Sequence, residues 1–335
     1  MINCKSTYLT LIVALLLLVP LALIALSIGR MQLSLGQTWA GLIDPKHNAL
    51  YANILYDIRL PRVLGAMVIG AALASSGIAF QNLFNNPLVS PDLLGVSNGA
   101  AVGAALAILL NSNLWVVQGF ALIGGILAVS ITVLIPRLVG QGGTLILVLS
   151  GIIISGFMQA ALGLLKYLAD PDSQLQSIVY WQLGSIAKLD IPSLLAALPM
   201  MIIGFIILIF FRWHLTIMSL GDQTAASQGI NIERERLVII LAATLLTAGA
   251  VCLAGTIGWI GLVVPHIARR LIGDNARFAL PLAAIFGADF LLVIDTLART
   301  MSAGEIPLSI LTGFIGTPVF IYILAHRKDL IQWPS

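Results

Sequence analysis

Residues 8–28 read YLTLIVALLLLVPLALIALSI, an apolar run without a charged side chain. An α-helix needs about 20 predominantly apolar residues to cross the hydrocarbon core of a bilayer, so this run predicts a membrane-spanning helix. Lys5 precedes the run, which leaves a signal peptide as the alternative. The apolar core of a signal peptide is usually only about 7–15 residues long. We therefore expect the segment to be retained as the first span.

The composition of the whole chain extends this interpretation. Of its 335 residues, 59% are hydrophobic and 9% are charged, whereas about 25% of the residues of an ordinary soluble domain are charged. We therefore predict a single transmembrane domain over residues 1–335. The net charge is only +3 and the Lys and Arg residues are scattered, which argues against a nucleic-acid-binding surface. Two cysteines, Cys4 and Cys252, provide neither a disulfide framework nor the spacing of a metal site.

Further apolar runs of spanning length follow the first one along the chain. They lie at about 62–82, 93–110, 115–136, 144–165, 192–211, 237–256, 278–297 and 307–325. Residues 257–270 form a shorter apolar segment, which we expect to be a short tenth helix because backbone at membrane depth must satisfy its own hydrogen bonds. The predicted fold class is an all-α, polytopic membrane protein of about ten transmembrane helices. With the N-terminus inside, the inner side carries more Lys and Arg than the outer side, as in most membrane proteins.

Small and polar residues recur every four positions in three of the predicted spans. The rows are Ala66, Gly70 and Ala74; Gly151, Ser155, Gln159 and Gly163; and Ser309, Gly313 and Thr317. Such rows are common where membrane helices pack closely, and we favour packing for the first row. A row that also carries polar atoms can instead line a pathway, and both interpretations stay open for the row that contains Gln159.

Few residues within the predicted spans could support chemistry. Asp289 is the clearest intramembrane charge, and such a carboxylate is a functional candidate by default; pairing within the helix bundle is the alternative. His266 has no second His or Cys to support a metal site, so we expect it to form a hydrogen bond at a helix end. The sequence contains no hydrolase signature and no Walker A motif, so we predict that the chain is not an enzyme and does not bind ATP itself.

One inner loop, residues 219–231 with the sequence SLGDQTAASQGIN, differs from the others. Asp222 is a candidate N-cap and Gly229 a candidate terminator, which together predict a short helix. The segment is too polar to insert into the membrane. A helix of this kind on the cytoplasmic face is either a connector or a docking surface for a soluble partner.

Six sequence stretches, in order along nearly the whole chain, resemble the FecCD-type permeases of type II ABC importers for iron–siderophores, haem and cobalamin. They are RLPR (59–62), GAALASSGIAFQNLFNNPLVSPDLLGVSNGA (70–100), LGDQTAASQGI (220–230), GTIGWIGLVVPHIARR (255–270), DTLAR (295–299) and EIPLSILTGFIGTPVFIYIL (305–324). The resemblance implies ten helices per subunit, pairing with a second permease chain as a homodimer or heterodimer, and two ATPase subunits on the cytoplasmic face. It implies no cofactor, and it implies a location in the bacterial inner membrane.

The resemblance also assigns residues to sites. The loop between helices six and seven would be the coupling helix that contacts the ATPase, with Leu220, Gly221, Asp222, Ala225, Ala226, Gly229 and Ile230. On the outer face, arginines of the family's R-x-P-R and D-x-x-A-R motifs would meet acidic residues of a substrate-loaded periplasmic binding protein. These correspond to Arg59, Arg62 and Arg299; the alternative is that they anchor helix ends at the lipid headgroups.

The family's pathway runs along the dimer axis and is lined mainly by the fifth and tenth helices. The resemblance therefore favours a pathway position for Gly151, Ser155, Gln159 and Gly163 and for Ser309, Gly313 and Thr317. Gly143 and Thr144 occupy the place of a cytoplasmic gate. The expected cargo is an iron–siderophore complex, with cobalamin, haem or molybdate as alternatives within the same permease class. An ion-coupled secondary transporter is the alternative from another class.

Overall fold

The computed structural model of the protein describes residues 4–140, 143–302 and 304–325, and all regular secondary structure in these ranges is helical. The predicted all-α membrane fold is confirmed. The helices are α1 (Cys4–Ser27), α2 (Leu35–Ile43), α3 (Ala49–Asn53), α4 (Leu60–Leu83), α5 (Val96–Leu109), α6 (Leu114–Val139), α7 (Thr144–Leu168), α8 (Gln174–Gln182), α9 (Ile191–Phe210), α10 (Arg212–Met218), α11 (Asp222–Ser227), α12 (Ile232–Ala254), α13 (Ile260–Ile272), α14 (Ala276–Met301) and α15 (Leu308–Ala325).

Seven helical segments in the described ranges are long and apolar enough to cross a membrane. They are Thr7–Ser27, Ala49–Leu83, Leu114–Val139, Thr144–Leu168, Ile191–Phe210, Ile232–Ala254 and Ala276–Met301. Two further apolar helices, Val96–Leu109 and Leu308–Ile323, are shorter, and α13 is the short helix expected within residues 257–270. Each predicted span therefore corresponds to a helix, although three of these helices are shorter than a full span.

Several predicted boundaries shift by a few residues, and one of these shifts has a clear local cause. The span expected to begin at residue 93 begins instead at Val96, because Pro91–Leu94 forms a separate 3₁₀ turn. Gly95 joins the two at a φ of +84°, a left-handed conformation that glycine adopts without steric cost.

The centre of the bundle is formed by α4, α12 and α14. A Cβ atom added to Gly70 of α4 would lie 2.1 Å from the carbonyl oxygen of Gly287 in α14, so the two backbones touch where the helices cross. Ala66 and Ala74 are also buried. The packing interpretation of this small-residue row is therefore confirmed, and it matches the way in which small residues allow membrane helices to approach closely.

The chain alternates between two ends of the bundle. We call the end that carries α10 and α11 the inner end, and the end that carries α2, α3 and α8 the outer end. The chain breaks between α12 and α13, where Trp259 has a φ of +72°, a conformation that is strained for a residue with a large side chain. A Cβ atom added to Gly316 of α15 would lie 2.9 Å from Cβ of Trp259, so the break packs directly against α15.

Candidate functional site

The short helix predicted in the inner loop is α11, which spans Asp222–Ser227. Gly229 ends it at a φ of +79°, as predicted. The amide of Gly229 donates to the carbonyl of Ala226 at 3.0 Å, and the amide of Ile230 donates to that of Ala225 at 3.2 Å. This pair of bonds is a Schellman motif, which satisfies carbonyl groups at the end of a helix.

The predicted N-cap is wrong. Gly221 occupies the N-cap position with a φ of +105°, and Asp222 is the first residue of α11. The Asp222 carboxylate caps no backbone amide in this structure because it forms an ion pair with Arg236 of α12, whose Nη2 atom lies 2.8 Å from Oδ1 and 2.9 Å from Oδ2. An interaction between helices has replaced the local one.

One face of α11 is buried and the other is open. Ala225 and Ile230 pack into the bundle, whereas Ala226 is exposed and the Leu220 side chain just before the helix is 63% exposed. The open face therefore combines polar groups with one apolar side chain, a composition suited to contact with another protein.

The predicted gate lies next to α11. Gly143 precedes α7 at a φ of +116°, and none of the atoms that the structure describes lies within 4 Å of a Cβ added to it. Thr144 is the first residue of α7, and its hydroxyl accepts a hydrogen bond from Nη2 of Arg236 at 3.0 Å. The structure therefore brings a predicted gate residue and a predicted coupling residue, Asp222, onto the same nitrogen atom.

The predicted pathway row on α7 divides into two halves. Gly151 is buried, and a Cβ atom added to it would lie 2.2 Å from the carbonyl oxygen of Leu93. Ser155 lies beside Gly95 at the end of the same 3₁₀ turn. Gln159 and Gly163, nearer the outer end, are exposed in the single chain. The inner half of the row therefore packs within the chain, and the outer half belongs to an uncovered face of α7.

The predicted row on α15 lies beside the break between α12 and α13. The Ser309 hydroxyl donates to the carbonyl of Thr256 at 2.5 Å. A Cβ atom added to Gly313 would lie 3.6 Å from Nε1 of Trp259, and Thr317 is half-buried. Ser309 and Gly313 therefore face the break in the chain.

All three arginines predicted to meet a binding protein are buried in the chain. Arg59 lies at the outer end of the α3–α4 segment and donates to the carbonyls of Leu26, Ser27 and Met31. It therefore satisfies carbonyl groups at and beyond the C-terminal end of α1, where a positive charge is also favoured by the helix dipole.

Arg62 and Arg299 share one carboxylate. Nε of Arg62 donates to Asp295 at 2.7 Å, and its Nη1 lies 3.0 Å from Glu305. Nε of Arg299 lies 3.7 Å from Asp295, and its Nη2 donates to the carbonyl of Ala25. We call Arg59, Arg62, Asp295, Arg299 and Glu305 the outer cluster. It ties together α1, α4, α14 and the turn before α15.

Comparison with known proteins identifies the family. The profile of the FecCD transport family matches residues 15–326. The chain belongs to the FecCD transport family. The resemblance inferred from the six sequence stretches is therefore confirmed, and the protein is a membrane-spanning permease subunit of an ABC transporter.

The relatives of this FecCD permease are named for different cargoes. It is 37% identical over 317 residues to the molybdate import system permease protein MolB of Haemophilus influenzae, which covers 93% of this chain and 94% of that protein. It is 38% identical over 322 residues to the hemin transport system permease protein HmuU of Yersinia pestis, covering 94% and 95%. A solved inward-facing structure of a metal-chelate type ABC transporter matches with a TM-score of 0.85 and 34% identity, over 96% of this chain and 99% of that one.

Two cavities lie at opposite ends of the permease. The outer one, of about 700 Å³, lies between α8, the start of α6 and the end of α12, and its polar lining includes Gln118, Asp172 and Lys188. The inner one, of about 260 Å³, lies between α6, α7 and α12 and is lined in part by Gly143 and Arg236. Within the described ranges, no group of three His, Cys, Asp or Glu side chains could hold a metal ion.

Asp289 is half-buried in α14, and its Oδ1 atom has no hydrogen-bond partner among the described residues. It lies two positions after Gly287, and helix residues two apart do not face the same neighbour. Its carboxylate therefore points away from the contact between α14 and α4.

The sequence interpretation missed Glu305, Asp295 and Arg236 as partners of the predicted residues. For Asp295 a signal was present, since Asp295 and Arg299 stand four apart and so share one face of a helix. Arg236 had no local signal, because it reaches Asp222 and Thr144 from 14 and 92 positions away along the chain.

Proposed function

We propose that the chain forms half of the membrane pathway of an ATP-driven importer that carries iron–siderophore complexes across the bacterial inner membrane. It pairs with a second permease chain, identical or homologous, and with two ATPase subunits on the inner face. The chain itself lacks a Walker A motif, so ATP is hydrolysed by those subunits.

The observation that carries this proposal is the exposed inner helix α11. It is short, bordered at both ends by glycines with positive φ, and fixed to the bundle by its buried side. A soluble subunit can therefore seat on its open face without entering the membrane. The segment Leu220–Ile230, with Gly221, Asp222, Ala225, Ala226 and Gly229, is the proposed ATPase contact.

The proposed pathway is lined by α7 and α15 of both permease chains. The outer half of the α7 row, Gln159 and Gly163, lies on a face that the single chain leaves open, which supports a position at the axis between two copies. Ser309, Gly313 and Thr317 form the α15 row. Gly151 and Ser155, which pack against the 3₁₀ turn in the single chain, continue the α7 row towards the inner end. Gly143 with Thr144 forms the cytoplasmic gate. The cargo passes without chemical change.

The hemin permease and the metal-chelate transporter among the similar proteins support an iron-containing chelate as cargo. The molybdate permease supports an oxyanion as the second candidate. Cobalamin fits the same permease class. The mildly polar rows on α7 and α15 contain no charged side chain that would select among these cargoes.

A cargo-loaded binding protein docks at the outer end, with Arg59, Arg62 and Arg299 as the proposed recognition residues. Because these arginines are buried, the binding protein can reach them only where one of their present partners is exposed. Arg62 holds Asp295, which is fully buried, and Glu305, whose side chain is 20% exposed. We propose that an acidic residue of the binding protein reaches Arg62 by displacing Glu305, because this carboxylate alone of the two is open to solvent.

The proposal is tested by uptake of a radiolabelled ferric siderophore into iron-starved cells with and without the gene. Uptake should depend on the gene and on ATP, and should persist when the proton gradient is collapsed. Uptake that follows the gradient would overturn the ATP-driven mechanism and direct attention to Asp289. Gene-dependent uptake of radiolabelled molybdate, haem or cobalamin in place of the siderophore would replace the proposed cargo.

A matched pair of variants tests the ATPase contact in the same cells. Leu220 beside α11 and Leu110 at the outer end of α5 are each 63% exposed. Leu220→Ser should prevent co-purification of the ATPase and abolish uptake, because it removes the apolar side chain of the proposed contact. Leu110→Ser makes the same change at the opposite end and should retain the ATPase. Equal ATPase recovery from the two variants would contradict the assignment of α11.

A further inference from the structure

Arg236 lies between α11, the proposed ATPase contact, and the start of α7, the proposed gate. Its side chain leaves α12 near the start of that helix, and only 11% of it is exposed. The Nη2 atom bonds to both carboxylate oxygens of Asp222 on α11 and to the hydroxyl of Thr144 on α7. One nitrogen therefore holds the first residue of α11 and the first residue of α7 at the same time.

The glycines beside these two helix ends add no side-chain attachment. Gly221 and Gly229 border α11, and no atom of the described residues lies within 4 Å of a Cβ added to either. Gly143, the N-cap of α7, offers no side chain to that helix, and none of the described atoms lies within 4 Å of a Cβ added to it. Among the described residues, the hydrogen bond from Arg236 connects the Thr144 hydroxyl to the inner end.

Sharing one nitrogen has a mechanical consequence. Hydrogen bonds weaken steeply when their length or angle departs from the preferred range. A shift of Asp222 must therefore either move the guanidinium, and Thr144 with it, or break one of the bonds. The inner cavity of about 260 Å³ adjoins Arg236 and Gly143, which leaves room for the guanidinium and the start of α7 to shift.

The ion pair between Arg236 and Asp222 contributes little to stability. Asp222 is 46% exposed, and partly exposed pairs contribute little to folding. Nε of Arg236, in contrast, is buried without a hydrogen-bond partner among the described residues. In this orientation the guanidinium leaves its buried Nε–H group without a hydrogen bond to any described residue, while Nη2 binds both Asp222 and Thr144.

We propose that Arg236 is a positioning residue for transport: it transmits displacement of α11 to the first residue of α7. The inference rests on the proposed function, in which an ATPase subunit acts on α11 and Thr144 belongs to the cytoplasmic gate. It adds the residue that connects those two assignments.

The test uses the complete complex in liposomes, with its ATPase subunits and its binding protein loaded with radiolabelled ferric siderophore. ATP hydrolysis and uptake are measured in the same vesicles. Arg236→Gln and Thr144→Val should each assemble and hydrolyse ATP, yet lower the uptake per ATP by about tenfold, within the range common for coupling between two sites. Thr144→Ser, which keeps the hydroxyl, should restore the coupling that Thr144→Val loses.

One further variant separates transmission from simple loss of charge. Arg234→Gln removes the same charge two positions earlier, from an exposed side chain, and should leave the ratio unchanged. Full coupling in Arg236→Gln or in Thr144→Val would overturn the inference.

A cargo-independent measurement distinguishes failure of this inference from failure of the proposed function. A spin label at the exposed Leu145, in a protein with Cys4 and Cys252 replaced by Ala, reports on the start of α7. Its spectrum should change on addition of ATP in the parent and in Arg234→Gln, and should not change in Arg236→Gln. A parent complex whose spectrum changes on addition of ATP but which imports no ferric siderophore would refute the cargo alone. An equal spectral change in Arg236→Gln would refute the transmission.

Discussion

Arginine joins helices at both ends of this permease, but the two junctions are built differently. In the outer cluster, three buried guanidiniums bind two carboxylates and backbone carbonyls of α1. At the inner end, the Arg236 guanidinium beside α11 bridges a half-exposed carboxylate and a hydroxyl. Buried ionic groups that lose a partner are very costly, whereas partly exposed pairs cost little to break. The outer junction is therefore suited to fixing helix positions, and the inner one to changing them.

Asp295→Asn should destabilise the outer junction more than any other single substitution proposed here. Asp295 is fully buried and is the carboxylate that Arg62 and Arg299 share. Removing its charge leaves two buried guanidiniums with Glu305 as their remaining carboxylate. We expect a loss of about 3–5 kcal/mol in the free energy of unfolding, typical of a broken buried pair.

Thermal denaturation in detergent, followed by size-exclusion chromatography, measures this loss. Asp57→Asn is the matched control, because Asp57 lies at the same outer end and is exposed. An Asp295→Asn protein as stable as the control would show that the outer cluster does not hold the helices together.

Glu305→Gln should have an intermediate effect on stability, because it changes the partly exposed carboxylate of the outer cluster. Arg62 keeps its bond to Asp295 and can still donate to the glutamine oxygen, so we expect a loss of about 1 kcal/mol in stability. The same change should strengthen binding of the loaded binding protein, because the internal competitor for Arg62 loses its charge. Titration with immobilised permease measures the affinity, with Glu233→Gln, an exposed inner glutamate, as the control. Weaker binding to Glu305→Gln would contradict the proposed displacement.

The sequence predicted these two junctions to different extents. Apolar runs such as 8–28 specify spans, because the bilayer imposes length and hydropathy on each helix. Gly229 specified the end of α11, because glycine adopts the positive φ that this end requires. Asp222 was misassigned as a cap, since its partner Arg236 lies on another helix. Arg59 was assigned to an outside partner, although carbonyls at the end of α1, about 30 residues earlier, already bind it. Local signals gave the elements, and contacts between distant elements decided what each charged side chain does.

The smallest expected change in stability, paired with a large change in transport, comes from Asp222→Asn. The asparagine keeps one oxygen that can accept from Arg236 but loses the charge that holds it. Because the side chain is 46% exposed, we expect a stability loss of only about 0.2–1 kcal/mol. Uptake per ATP should nevertheless fall in the reconstituted complex, since displacement of α11 would no longer be held to the guanidinium. Denaturation and coupled uptake assays on the same preparation measure both quantities. A variant that is strongly destabilised, or one that is stable and fully coupled, would show that the inner junction is of the same kind as the outer one.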